Sequence, residues 1–163
     1  IQHSASETRK KHMDLQFKWN RLEDFTALEM YEVIKAREAV FIVEQTCAYQ
    51  EADGLDPHSW HLRVSLNGEL AAYARVVEPG LKFAEPSIGR VMTTAKFRNL
   101  KIGHTLVAKA IAFTEEKFPG QSIRIGAQAH LQGFYGSLRF QPVGDIYDED
   151  GIPHIEMVKP APR

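Results

Sequence analysis

Residues 88–118, IGRVMTTAKFRNLKIGHTLVAKAIAFTEEKF, constrain this chain more than any other stretch. A β-rich run over 88–94 leads into a short basic loop, residues 96–103, which opens directly into an amphipathic helix over 104–118. That helix places Leu106, Val107, Ala110, Ile111, Thr114 and Phe118 on one face, and Pro119-Gly120 stops it. A strand over 122–128 follows, with Ile123, Ile125 and Ala127 alternating. Strand, helix, strand in this order demands a parallel crossover. The N–H groups at the helix start have no acceptor inside the helix, and the helix dipole favours negative charge there. Strand, basic loop and helix start together make a place to hold a phosphate.

A chain of 163 residues fits one domain with a single well-developed core. With 44% hydrophobic and 25% charged residues it folds rather than staying disordered. The net charge of −1 argues against a general nucleic-acid binder, which carries a basic excess. Cys47 stands alone, so no intrachain disulfide can form, and a reducing, cytoplasmic setting is expected. No apolar run approaches the ~20 residues that span a bilayer, and the first residues carry no signal-peptide pattern, so no membrane partner is expected. Residues 1–12 are polar and without periodicity. They are read as an added tag or a disordered tail, and residues 13–160 as one domain.

The remaining elements are mostly strands. Leu15, Phe17 and Trp19 alternate, which predicts a strand over 13–20. Residues 25–44 are helical, with Leu28, Tyr31, Ile34, Ala36, Val40 and Phe41 as the apolar set, and either one helix or two stacked short ones satisfy the pattern. A polar loop covers 45–59. Strands over 60–66 and 70–77 flank Asn67-Gly68, a strong two-residue hairpin signal. After the strand over 122–128 come a short helix, 131–138, and strands over 140–147 and 155–159 around the turn-rich Asp148-Glu149-Asp150-Gly151. The expected architecture is α/β (α+β): a mixed, mostly antiparallel sheet flanked by helices.

This element order resembles the GNAT acyltransferase fold, the superfamily that moves an acyl group from acyl-coenzyme A to an amine. Its loop signature, Gln/Arg-x-x-Gly-x-Gly/Ala, is matched by Arg98-Asn99-Leu100-Lys101-Ile102-Gly103 at Arg98 and Gly103 and departed from at Lys101. The block Phe134-Tyr135-Gly136-Ser137-Leu138-Arg139-Phe140 is similar to the superfamily's Phe-Tyr-x-x-x-Gly-Phe, with Arg139 in place of glycine. EQTCAYQEAD at 44–53, AQAH at 127–130 and YDEDGIPHIEM at 147–157 resemble the ElaA-like branch. The likeness spans about residues 14–158, nearly a whole domain.

The resemblance implies an acetyl-CoA-dependent N-acetyltransferase. On that basis the backbone of Val91, Met92 and Thr93 would bond the pantetheine arm and hold the oxyanion. The loop from Asn99 through Leu100, Lys101, Ile102 and Gly103 to His104 would cradle the pyrophosphate, with Arg98 and Lys101 adding charge. Phe134 and Tyr135 would border the cofactor, and the Tyr135 phenol would protonate the leaving thiolate. An alkyl-ammonium acceptor, pKa ~10.4, must lose a proton before attack. His61, Glu44, Glu51, Asp53, His130 and Glu156 all remain open as the base, with His61 and Glu51 carried forward as catalytic candidates. Glu51 and Asp53 also lie in an acidic loop suited to attracting a cationic acceptor. Many members of the superfamily pair through sheet edges, so a homodimer is part of what the resemblance implies.

Other readings stay beside this one. Asp148, Glu149, Asp150 and His154 match no zinc or EF-hand spacing, so a turn is expected and no metal. Cys47 is read as a small buried side chain rather than a nucleophile. A GNAT-fold module that senses acyl-CoA without turnover is the alternative function, and an amine- or peptide-binding protein without cofactor is a third.

Overall fold

The structure, a computed structural model, describes Arg9 and residues 14–163. The tail expected over 1–12 and the start of the first strand at Met13 otherwise lie outside the described residues. Among the described residues seven strands form two sheets. The first runs β1 (Gln16–Arg21), β2 (Ser59–Leu66), β3 (Glu69–Val77), β4 (Ser87–Thr93) in spatial order, all antiparallel. The second holds β5 (Ile123–Gln128), β7 (Ile152–Lys159) and β6 (Gln141–Glu149), with β7 central and again antiparallel.

The mixed sheet expected from sequence therefore has a seam. The crossover does bring β5 alongside β4, with the start of one strand beside the start of the other. Among the described residues a single backbone bond joins them, from Arg124 N–H to the Pro86 carbonyl at 3.1 Å. Beyond it the ladder stops, and a gap opens between the two strands.

Helix α1 (Ala27–Arg37) begins at a capping box in which Thr26 Oγ1 accepts from Glu29 N–H and Glu29 accepts from Thr26 N–H. The box hydrogen bonds and Arg63 hold the Glu29 carboxyl down at about 2. The helix continues as one wider π-type segment over Glu38–Glu44, so the residue 25–44 pattern is one element. Its expected apolar face is only half right. Val33 and Val40 pack on Leu70, Tyr73 and Met92, while Leu28, Tyr31 and Ile34 are exposed. Helix α2 (Gly103–Lys117) covers the opposite face of the first sheet, burying Leu106, Val107, Ala110 and Ile111 in the main core. Each buried Leu, Val or Ile among them contributes roughly 1.5–3 kcal/mol of burial. Because helices cover both faces, β3 is buried along almost its whole length and reads as a near-continuous apolar run.

Both hairpins turn on two residues with positive φ: Asn67 (51°) and Gly68 (79°), then Asp150 (51°) and Gly151 (83°). The second turn is tighter than the four-residue turn expected, because β6 and β7 extend to Glu149 and Ile152. The short helix over 131–138 shrinks to α3 (Gln132–Gly136). Among the described residues no helix is long and apolar enough to cross a membrane.

Candidate active site

The gap between β4 and β5 opens into a cavity of about 660 Å³. Its walls come from β4 (Ile88–Thr93), from β5 (Ile125 to Gln128), from the π segment and the loop after it, and from the β6–β7 hairpin. At the cavity β4 changes register on β3. Tyr73 faces Met92 and Arg75 faces Gly89, so Arg90 and Val91 share the place of one residue opposite Ala74. Arg90 takes φ 49°, a left-handed conformation unusual inside a strand. The bulge gives Arg90 and Val91 no register partner and turns them toward the cavity.

Of the residues expected at a cofactor, Val91, Met92, Thr93, Arg98, Gly103, Phe134 and Tyr135 line the cavity. Leu100 and Ile102 are instead core residues, and Asn99, Lys101 and His104 are exposed at the loop and helix start. None of these five is part of the cavity wall. Among the described residues helix α2 has no side-chain cap, which leaves the N–H groups of its first turn open, and Gly103 and Arg98 both line the cavity. Lys101 takes the conformation that glycine favours, φ 54°, ψ 49°, at the cost of some Cβ strain, and Arg139 does the same at φ 73°.

Tyr135 is 8% exposed and lines the cavity. Among the described residues its hydroxyl has no hydrogen-bond partner. Burial pushes its phenol up to about 12, so it keeps its proton across the physiological range.

The structure separates the two other catalytic candidates from the cavity. His61 is fully buried between β1 and β3 and is no part of the wall. Its Nε2 lies 3.0 Å from the Asp56 carbonyl, which can only accept, so Nε2 carries the proton. Nδ1 then accepts from the Tyr73 hydroxyl at 2.5 Å. Both ring nitrogens are used, and burial holds the imidazole neutral by lowering its pKa. Glu51 is likewise off the wall, with Oε1 accepting from Arg37 Nε at 2.8 Å and Arg90 Nε at 2.7 Å.

Those contacts also remove the expected acidic attractor. Asp53 is bonded by Arg75 and Arg90, and Asp56 by Arg37 and Arg75. Three carboxylates and three arginines thus neutralise one another under the 49–58 loop. Burial works to raise Asp53 and Asp56, but the arginine hydrogen bonds and charges outweigh it and hold both carboxyls below their ordinary range. Glu44 pairs with Arg98, Glu156 pairs with Arg124, and His130 is exposed on the cavity rim.

Sequence reasoning missed the far wall. Glu149 and His154 line it as a pair, Oε2 to Nε2 3.1 Å, with His154 Nδ1 donating to the Ile152 carbonyl at 2.7 Å. Local sequence shows only a turn here, because the β6–β7 register that brings them to the cavity is not a local signal. Cys47 is buried as expected, and its Sγ–H donates to the Asp150 carbonyl at 3.2 Å, fastening the loop to that hairpin. Among the described residues no His, Cys, Asp and Glu group is arranged to hold a metal ion.

Comparison with known proteins identifies the family and the fold. The acetyltransferase (GNAT) domain family matches residues 23–161. The UPF0039 protein sll0451 of Synechocystis is 42% identical over 151 residues, covering 92% of this chain and 98% of its own. Protein ElaA of Escherichia coli is 39% identical over 138 residues, covering 83% of this chain and 90% of its own. Among solved structures, an acyl-CoA N-acyltransferase from Pseudomonas aeruginosa superposes with a TM-score of 0.84 at 37% identity, over 89% of this chain and 99% of that one.

Proposed function

The chain belongs to the acetyltransferase (GNAT) domain family, and from that premise we propose that it transfers an acetyl group from acetyl-CoA to a primary amine by direct attack. The observation that carries this reading is Tyr135: a buried, protonated, unpartnered hydroxyl on the wall of a cavity that also holds a strand bulge and an uncapped helix start. These are the groups that a phosphate-bearing thioester needs. The uncapped start of α2, with Arg98 beside it, fits the pyrophosphate. The gap between β4 and β5 fits an extended arm that bonds to strand backbone.

Acetyl-CoA supplies the activated acyl carbon. The chain's own groups then divide the work. Backbone N–H groups at the bulge, around Val91, stabilise the negative charge that develops on the acyl oxygen. Tyr135 Oη–H gives its proton to the departing thiolate. The proton-accepting role goes to Glu149, beside His154 on the far wall, because both nitrogens of His61 are engaged and Glu51 is held by two arginines. The acceptor enters from the loop and hairpin side of the cavity.

A thiol-release assay with acetyl-CoA across a panel of primary amines tests this reading. Release is expected with at least one amine, and Tyr135→Phe should lower kcat by about 10²-fold or more while acetyl-CoA still binds. Binding of acetyl-CoA with no release from any amine would replace the enzyme with an acyl-CoA sensor.

A further inference from the structure

Arg90 is an arginine where backbone conformation alone would select glycine. A left-handed residue within a strand costs roughly 1–2 kcal/mol when it carries a Cβ. Here the side chain provides the compensation. Its Nε donates to Glu51 Oε1 at 2.7 Å, and Nη2 donates to the Glu51 carbonyl at 3.1 Å and to Asp53 Oδ2 at 3.3 Å. Tyr49 and Phe41 face the guanidinium at 5.5 Å and 6.0 Å. Neither carboxylate is free to follow a moving Arg90. Glu51 is tied to Arg37 in α1, and Asp53 to Arg75 in β3. Arg37 and Arg75 are in turn joined through Asp56. The network connects α1, the 49–58 loop, β3 and the bulge as one rigid unit.

We propose that Arg90 is a positioning residue. By gripping Glu51 and Asp53 it holds the β4 bulge in its left-handed conformation, and so keeps the Val91 backbone aimed at the reacting carbonyl. Glu51 and Asp53 serve the reaction through Arg90 rather than by touching substrate. This rests on the acyltransfer reading, since it needs an oxyanion for the bulge to meet. The physical logic is preorganisation: a dipole fixed before the charge develops costs no reorganisation when it does. A bulge free to flip would still accept the cofactor through α2 and lose rate.

Three variants separate this role from others. Arg90→Gly permits the same φ and removes the grip. Arg90→Lys keeps the charge and loses the planar fork. Glu51→Gln weakens the grip without altering the bulge residue, and keeps the test alive if Arg90→Gly fails to fold. Each is measured for acetyl-CoA affinity by calorimetry, for kcat and amine KM by thiol release, and for Val91 amide exchange by NMR. The expected result for Arg90→Gly is acetyl-CoA affinity within about threefold of the parent, unchanged amine KM, kcat down tenfold or more, and faster Val91 exchange. Arg90→Lys should recover part of the rate, and Glu51→Gln should fall between the parent and Arg90→Gly. Parent-like kcat in Arg90→Gly overturns the proposal, as does a loss confined to amine KM, which would make Arg90 an acceptor contact. Should the parent protein not bind acetyl-CoA, the acyltransfer reading fails, and unchanged Val91 exchange in Arg90→Gly would separately dismiss the grip.

Discussion

Arg98 donates from Nη2 to Glu44 Oε2 at 2.5 Å, and from Nε to the Thr93 carbonyl at 3.2 Å. The pair joins the loop before α2 to the end of the α1 element, across the mouth of the cavity. Both side chains are well exposed, 48% and 37%, so solvent and salt weaken their attraction. A phosphate arriving at the start of α2 competes with Glu44 for the same guanidinium. Glu44→Gln should therefore tighten acetyl-CoA binding about two- to fivefold at low salt, and Arg98→Ala should weaken it, with both effects shrinking as salt rises. Calorimetry at two ionic strengths checks this; an unchanged affinity in Glu44→Gln would mean that Arg98 never leaves its carboxylate.

Lys101 and Arg139 both occupy left-handed backbone at positions where the superfamily patterns have glycine. Replacing either by glycine removes Cβ strain, offset in part by the extra freedom glycine gives the unfolded chain. Each substitution should raise stability by up to about 1 kcal/mol in a thermal melt. Lys101→Gly with unchanged acetyl-CoA affinity would show that the ammonium contributes nothing to phosphate binding.

His61 bridges Tyr73 and the Asp56 carbonyl inside the core. His61→Ala leaves the buried Tyr73 hydroxyl without its acceptor and should cost about 1–3 kcal/mol. The folded fraction should keep kcat within a few-fold of the parent. A loss of kcat near 10²-fold at full folding would return His61 to the list of catalytic bases.

Acid should unfold the protein through the carboxylates under the 49–58 loop. Asp53 and Asp56 titrate below their unfolded values. Their contribution is fully present above the unfolded value of ~3.9 and is lost as pH falls below it, because the unfolded chain then binds more protons than the folded one. Denaturant midpoints from pH 6 to pH 2.5 should fall steeply below about pH 4. Asp56→Asn should be less stable at pH 6 and show a shallower decline.

The alkaline limb follows from Tyr135. Its folded pKa is about 12 against ~10 for an unfolded phenol. Between those values the unfolded chain has released a proton that the folded chain keeps, so stability falls as pH rises from about 10. Tyr73, pushed further up by its burial, adds to the same decline. Tyr135→Phe should flatten the limb between pH 9.5 and 11.5; an identical slope would mean that the phenol is not shielded from water.

Local chemistry carried much of this molecule in plain view. The alternation of Ile123, Ile125 and Ala127, the apolar face from Leu106 to Ile111, and the Asn67-Gly68 turn depend on neighbours a few residues away, and each element formed where its pattern lay. The loop before α2 was legible for the same reason: Arg98 and Gly103 sit within one short segment, and both line the cavity. The apolar run of α1 misled in part, because periodicity does not show whether a partner surface exists to cover Leu28 and Tyr31.

What sequence alone determined was the order of elements, the parallel crossover, the family likeness and the position of Tyr135. Tertiary structure decided which charges are spent on one another. Glu51, Asp53 and Asp56 look like an open acidic loop until Arg37, Arg75 and Arg90 arrive from three separate elements to neutralise them. It also withdrew His61 into the core and set Glu149 and His154 on the cavity wall through the register of β6 on β7. The reason is physical: hydrogen-bond and ion-pair geometry acts over a few ångströms in space, and folding brings together residues that lie tens of positions apart in the chain.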